Sequence, residues 1–373
     1  MENPIRILQI VPNMQQGGLE NFIMNIYRNI DRTKVQFDFL VHYNEKKFFD
    51  DEIEKLGGKI YRFSLRDDNN IIKYIKELNK FYKEHPEYKV IHCHMSSIGF
   101  LNFIIAKRNG IKVRIAHSHN SSTDKTLKGR IKRLMMLPYK YVSTINYACS
   151  NEAGKYLYGN KKFEIIPNAI DTYKFKFNQN KRIEYREKLD ITGNKFVIGH
   201  VGRFNIQKNH EFIIKVFCDY LKINKDAMLL LIGDGELLEK IKDLCIKLNI
   251  QKKVIFLKNI NNIYDYYNVM DLFILPSFFE GLPVVGIEAQ TNGLKCLFSS
   301  NITREVKVSE QLNFLELKKE LWVRKIDENF KNGIYDRFKS FEKIVNSNFE
   351  ITTLSKIMEH KYIQFYKKKE EVI

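Results

Sequence analysis

Phe279-Glu280-Gly281-Leu282-Pro283-Val284-Val285-Gly286-Ile287-Glu288 is the stretch whose reading decides the fold. Just upstream, Asp271-Leu272-Phe273-Ile274-Leu275 is an apolar run of strand length that stops at Pro276-Ser277, and it reads as a buried parallel strand. A tight turn follows, and Pro283 stands where a helix would begin, since its fixed φ suits the first turn and its missing N–H costs nothing there. Such a helix points its free N–H groups and the positive end of its dipole at whatever lies beyond the strand. Glu280 hangs in the loop before the helix, and Glu288 projects from about two turns in. Two carboxylates beside free backbone donors suit a ligand that carries both hydroxyls and phosphate. A chance pair of acids at a surface helix start is the plain alternative.

The residues before this stretch repeat the same strand–loop–helix grammar. Phe196-Val197-Ile198-Gly199-His200-Val201-Gly202-Arg203-Phe204 is a strand ending in Gly-Arg, and Gln207-Lys208-Asn209-His210 begins the next helix. An arginine at a strand end and a lysine five residues on could converge on one diphosphate, Arg as a planar fork and Lys as a mobile point charge. Met228–Ile232 is a further strand, closing in the turn Gly233-Asp234-Gly235 with Glu236 opening a helix. Lys253–Asn259 is another, and Tyr264-Asp265-Tyr266-Tyr267 lies in the helix after it.

The first half of the chain alternates in the same way. Ile5–Val11 reads as a buried strand, and Leu19, Phe22, Ile23, Ile26 and Ile30 then fall at helical spacing, with Gly17-Gly18 between the two, where backbone can approach a diphosphate closely. Strand-like runs recur at Val35–Val41, Lys59–Phe63, Lys89–Cys93, Lys112–Ala116 and Thr144–Cys149, with helical patterns such as Ile71–Tyr82 and Ile98–Arg108 between them. This alternation argues a doubly wound parallel sheet, with ligands beyond the carboxyl ends of its strands. Two histidine pairs fall at such ends, His92-Cys93-His94 and His117-Ser118-His119-Asn120. No acidic or cysteine partner accompanies them at usual metal spacing, so structural hydrogen bonding is the reading for His92.

The segment from Lys125 to Lys140 carries six basic residues and no acid, interleaved with Ile131, Leu134, Met135 and Leu137. It reads either as a basic amphipathic helix for an anionic membrane or an acceptor phosphate, with Arg130 and Arg133 on its polar side, or as a core helix with a solvated basic face. At 373 residues the chain fits two domains, and its 44% hydrophobic content fills two cores. The five scattered cysteines read as buried reduced thiols, and no apolar stretch approaches the roughly 20 residues of a membrane span, so the expectation is a cytoplasmic protein. A net charge of +18 suits nucleic acid, an anionic membrane surface or an anionic small substrate, but lysine spread over solvated faces gives the same sum. Asp50-Asp51-Glu52 is the nearest acidic cluster to a D-x-D motif and reads as a helix surface.

The two glutamates, spaced as E-G-x-P-x-x-x-x-E from Glu280 to Glu288, resemble the signature of retaining nucleotide-sugar glycosyltransferases of the GT-B fold, family-4 type. Gly202-Arg203 with Lys208-Asn209 resembles the family's G-R-x-x-x-x-K-N motif. Gly17-Gly18 matches its N-domain glycine loop, and Ile166-Pro167-Asn168-Ala169-Ile170-Asp171 its I-P-N-G-(I/V)-D segment, with Ala169 in place of glycine. Lys295 stands where the family's G-x-P-V segment has proline, which puts one turn in doubt. The motifs run in family order over nearly the whole chain.

The resemblance implies a GT-B fold: two Rossmann-like doubly wound parallel-sheet domains facing a central cleft. Residues 1–172 would form the acceptor-side domain and 190–348 the donor domain. The polar stretch Lys174–Lys195 would hold the crossing, and the C-terminal helix 349–373 would return to the first domain. It implies a retaining hexosyltransferase using a nucleotide diphosphate sugar, a UDP-sugar first, and a glycan or lipid-linked saccharide acceptor in capsular or other cell-surface polysaccharide assembly. By analogy His119, or His117 in its stead, would approach the transferred sugar, with Asn120 orienting it. Glu280 would hold the sugar hydroxyls and Glu288 the ribose. Gly17, Gly18, Arg203, Lys208 and the helix start Gly281, Leu282, Pro283 and Val284 would meet the diphosphate without metal or other cofactor. His117, Asn120, Arg130 and Arg133 would lie on the acceptor side, at the inner face of the membrane. A nucleotide-sugar epimerase of the same fold is one alternative. A non-catalytic nucleic-acid or membrane binder is another, and paired carboxylates argue against nucleic acid because they repel a phosphate backbone.

Overall fold

The computed structural model describes residues 3–63, 70–120, 127–333 and 336–367, with the backbone alone at 127–129 and 132. The chain divides into two compact units, residues 1–169 with 351–373, and residues 170–350. Each is a parallel sheet covered by helices.

The sheet of the first unit has seven strands in the order β3-β2-β1-β4-β5-β6-β7. These are β1 Ile5–Val11, β2 Val35–Val41, β3 Ile60–Arg62, β4 Val90–Cys93, β5 Val113–Ser118, β6 Ile145–Ala148 and β7 Glu164–Ile165. Every pairing is parallel. Continuous apolar runs form the central strands because both faces are covered. Helix Gly18–Asn29 buries Phe22, Ile23, Ile26 and Tyr27, and the C-terminal helix Ile351–Lys367 packs against it and against β1, β2 and β4. Chain order reverses between β1 and β4, so the ends of these strands form the switch point at which such sheets bind ligands. The glycine pair follows β1, and the two histidine pairs end β4 and β5.

The second unit has six parallel strands in the order β10-β9-β8-β11-β12-β13. These are β8 Val197–Val201, β9 Met228–Ile232, β10 Val254–Leu257, β11 Leu272–Leu275, β12 Lys295–Ser299 and β13 Leu312–Leu315. Its switch point lies between β8 and β11. The loops there are those of Arg203–Lys208 and of Glu280.

Several expectations are corrected. The boundary falls at Ala169/Ile170 rather than within 173–189, because the polar stretch folds as helices Thr172–Phe175 and Gln179–Lys188 of the second unit. Arg182 and Arg186 of the latter both pair with Asp271, at 2.5 and 2.7 Å, and Asp271 also accepts from the Val197 N–H. The return comes at Ile351, where the C-terminal helix starts two residues later than expected. Asp50 is not a surface acid: it is buried, accepting from the Tyr43 hydroxyl at 2.6 Å and from Arg62 at 2.8 Å. Glu236 sits in the turn before helix Leu238–Lys247 rather than opening it. Of the five cysteines, Cys218 is only half-buried. The turn placed in doubt by Lys295 is intact: Gly293 has φ +76°, a side chain there would meet the Arg337 backbone, and Lys295 Nζ donates to the Asn329 and Gly333 carbonyls.

Candidate functional site

In the second unit, backbone geometry brings the loop after β8 against the loop after β11. Phe278 N–H donates to the Gln207 carbonyl at 2.9 Å, and Asn209 Nδ2 to the Pro276 carbonyl at 3.2 Å. Asn209 adopts a left-handed conformation, φ 57°, which an asparagine tolerates, and so turns the chain into helix His210–Tyr220. The glycine turn after β9 serves the same loop. A side chain on Gly233 or Gly235 would strike the backbone of Gly202 or Phe204, and both glycines sit at φ +151°.

This stitching carries Lys208 to Glu280. Lys208 Nζ lies 2.6 Å from Glu280 Oε1, with both side chains largely buried, and Gln207 Nε2 donates to Oε2 at 3.1 Å. The carboxylate is thereby fixed from two sides. Helix Val284–Thr291 begins one residue after Pro283, so Glu288 is its fifth residue, little more than one turn in rather than two. The buried Tyr267 hydroxyl donates to Glu288 Oε2 at 2.6 Å, and burial pushes the Glu288 carboxyl up to about 7 against the lowering effect of that bond and of Lys208. Arg203 and Lys208 have different partners in the resting site. The Arg203 side chain is 73% exposed and lies 3.3 Å from Glu236, an exposed pair of the kind that contributes about 0–1 kcal/mol and is easily exchanged for another anion. Leu282 and Pro283 are buried, Gly281 and Val284 partly so.

In the first unit, Gly17 is the N-cap and Gly18 the first residue of helix Gly18–Asn29. The third helical residue, Glu20, turns its carboxylate back to the Gly17 Cα, where a side chain would meet Oε2 at 2.5 Å. The space beside Gly18 is open. Burial raises the Glu20 carboxyl, and its own backbone N–H opposes that. The sequence reading missed this acid at the helix start.

The four histidines come together. His92, His94 and His117 are buried and His119 is half-buried, with the Phe22 ring packed on the last three. His94 Nδ1 lies 2.9 Å from His119 Nε2, and His94 Nε2 lies 2.9 Å from Gln9 Oε1. His92 Nδ1 lies 2.7 Å from the hydroxyl of Tyr362 on the C-terminal helix. Burial pushes His92 and His119 down to about 3, and His94 and His117 well below their ordinary value, so all four are neutral at pH 7. His117 is sealed, with the Ile166 backbone as its polar neighbour. Asn120 is exposed, next to His119. Among the described residues, His92, His94 and His117 form one grouping with metal-ligand atoms, within 4.8 Å of one another. Both nitrogens of His94 are engaged, by His119 and by Gln9, so His94 would have to give up one of these contacts to bind an ion. The partners Gln9, Tyr362 and Tyr267 are not legible in the sequence because their roles depend on contacts between distant segments.

Helix Leu127–Met136 leaves Ile131, Leu134 and, just beyond it, Leu137 at least half exposed, alongside exposed Arg130 and Arg133. Ile131, Leu134 and Leu137 thus face solvent, whereas Met136 is buried and Met135 partly so. Lys125 lies outside the described residues, as do residues 368–373 of the expected C-terminal helix.

Two parallel doubly wound units with charged residues and glycine turns gathered at their switch points define the GT-B class. The crystal structure of Anabaena HepE in complex with UDP-glucose shares this fold, with a TM-score of 0.79 at 16% identity over 96% of this chain and 99% of that one. A family profile described as Glycosyltransferase Family 4 matches residues 16–174, and one described as Glycosyl transferases group 1 matches residues 181–335. The Bacillus subtilis protein named as glycosyltransferase EpsF is 34% identical over 311 residues, 81% of this chain and 80% of its own length. The Escherichia coli UDP-Gal:alpha-D-GlcNAc-diphosphoundecaprenol alpha-1,3-galactosyltransferase is 26% identical over 313 residues, 79% of this chain and 78% of its own. The chain belongs to the glycosyltransferases of this family.

Proposed function

We propose that this glycosyltransferase moves a hexose from a UDP-sugar to a lipid-linked saccharide in cell-surface polysaccharide assembly, with retention of anomeric configuration and without a metal. The observation that carries the reading is the buried Glu280 carboxylate held by Lys208 and Gln207 at the switch point of the second unit. Fixed there, it can accept from sugar hydroxyls, while Lys208, with three donors, keeps Glu280 in place and still offers a proton to a phosphate. Arg203 swings from Glu236 to the diphosphate at little cost. Glu288 accepts from the ribose hydroxyls, and half-buried His119, rather than sealed His117, meets the transferred sugar. Positive charge and the N–H groups of Gly281, Leu282 and Val284 stabilise the departing phosphate, which takes the acceptor's proton on the same face. A uridine donor and a diphospholipid-linked acceptor are the chemistry named for the Escherichia coli relative, and HepE was solved with UDP-glucose.

The test is transfer from UDP-hexoses in excess chelator, with the product anomer read by NMR. Turnover should be unchanged by chelation and should preserve the donor's α configuration. A β product, or loss of activity restored by manganese or magnesium, contradicts the mechanism.

The exposed apolar residues of helix Leu127–Met136 favour a second element of the reading, docking on an anionic membrane that presents the acceptor. Among the described residues, no helix is long and apolar enough to cross a membrane. Leu134→Glu should abolish cosedimentation with phosphatidylglycerol vesicles while leaving UDP binding intact; unchanged cosedimentation removes this element.

A further inference from the structure

We infer that His94 is a positioning residue that locks His119 in one tautomer, with Gln9 and Tyr362 behind it setting the direction of the hydrogen bonds. This rests on the reading that His119 faces the transferred sugar. The chain of contacts runs Tyr362 OH, Gln9, His94, His119, and spans four elements: the C-terminal helix, β1 and the ends of β4 and β5. Its geometry is set by the sheet, since Gln9 is the register partner of His92 and the His94 N–H donates to the Ile10 carbonyl at 2.9 Å.

The direction follows from which atoms can give a proton. Gln9 Nε2 donates to the Tyr362 oxygen at 3.5 Å, which leaves Gln9 Oε1 as an acceptor for His94. His94 must then carry its proton on Nε2, and because a neutral imidazole has one N–H, its Nδ1 is a lone pair. That lone pair, 2.9 Å away, accepts from His119 Nε2–H. His119 is left with a bare Nδ1. This atom is buried, and the Asn168 side chain is the ring's hydrogen-bonding neighbour there. Tyr362 closes the far end by donating to His92 Nδ1.

The assignment is tested on the full-length protein by long-range ¹H–¹⁵N NMR of its labelled histidines at pH 7.5, with no nucleotide present. His119 should appear as the single Nε2–H tautomer. His94→Phe, which fills the space but offers no acceptor, and Tyr362→Phe, which cuts the network at its far end, should each convert it to a mixture. His94→Phe should also lower kcat for UDP-hexose about 10²-fold, a loss typical of misplaced groups, while UDP affinity stays within about twofold. If His94→Phe does not fold, the Tyr362→Phe spectrum decides. An Nδ1–H tautomer or a mixture in the wild type overturns the proposal, as does a single unchanged tautomer in the variants. The spectra require no turnover, so failure to find a donor would count against the proposed function and leave this assignment standing.

Discussion

Lys208→Ala is expected to lower kcat/KM for the donor by about 10²- to 10³-fold, that is, about 3–4 kcal/mol, within the range of about 2–5 kcal/mol found when one partner of a buried hydrogen-bonded charge pair is truncated. The substitution removes the cation 2.6 Å from Glu280 and leaves that carboxylate held by Gln207 in a setting where its side chain is only 8% exposed. The loss has two sources, a phosphate contact and a released Glu280, so it should fall on both kcat and KM. Arg203→Ala should cost less, because Arg203 orders nothing in the resting site beyond one exposed pair with Glu236. Steady-state kinetics on the two variants checks this order; a Lys208→Ala enzyme within threefold of wild type would remove Lys208 from the site.

The second large effect separates the two glutamates. Glu280→Gln should depress kcat by about 10²-fold through poor sugar placement and leave bare UDP binding nearly unchanged, since UDP carries no hexose. Glu288→Gln should instead weaken UDP and raise the donor KM, because a carboxylate that accepts from two ribose hydroxyls becomes an amide with one acceptor oxygen. The raised Glu288 carboxyl adds a pH signature. With its pKa at about 7, the neutral acid predominates below and the accepting carboxylate above. The ionised fraction rises from about 0.1 at pH 6 to about 0.9 at pH 8, so UDP-glucose affinity should increase about 10-fold over that span. UDP-glucose is the appropriate probe because its diphosphate diester does not titrate there. The rise should vanish in Glu288→Gln.

Much of this architecture is legible in the chain. Buried parallel strands show as continuous apolar runs, and nearly every strand expected in the first half falls within a residue or two of its place, because both faces of each central strand are covered. The paired glutamates and the Gly-Arg…Lys motif are also local, and the structure places them at one switch point. Pairwise contacts across the fold are not local. Nothing near Lys208 in sequence says that it meets Glu280; hydrogen bonds between the two loops bring them together. The stretch Lys174–Lys195 reads as a linker because it is polar, yet Arg182 and Arg186 of its helix Gln179–Lys188 anchor it on Asp271. Asp50 reads as a surface acid in an acidic cluster, and only the approach of Tyr43 and Arg62 makes it a buried one. The histidine network escapes for the same reason, since its far end, Tyr362, lies 270 residues beyond His92.

The most direct test of the central claim, that the strand ends of the second unit hold a uridine diphosphate sugar, is calorimetric titration of UDP into the wild type and the two glutamate variants in excess chelator. The account predicts one UDP per chain for the wild type, near-equal affinity for Glu280→Gln, and clearly weaker binding for Glu288→Gln. Absence of UDP binding to the wild type, or a loss confined to Glu280→Gln, would contradict it.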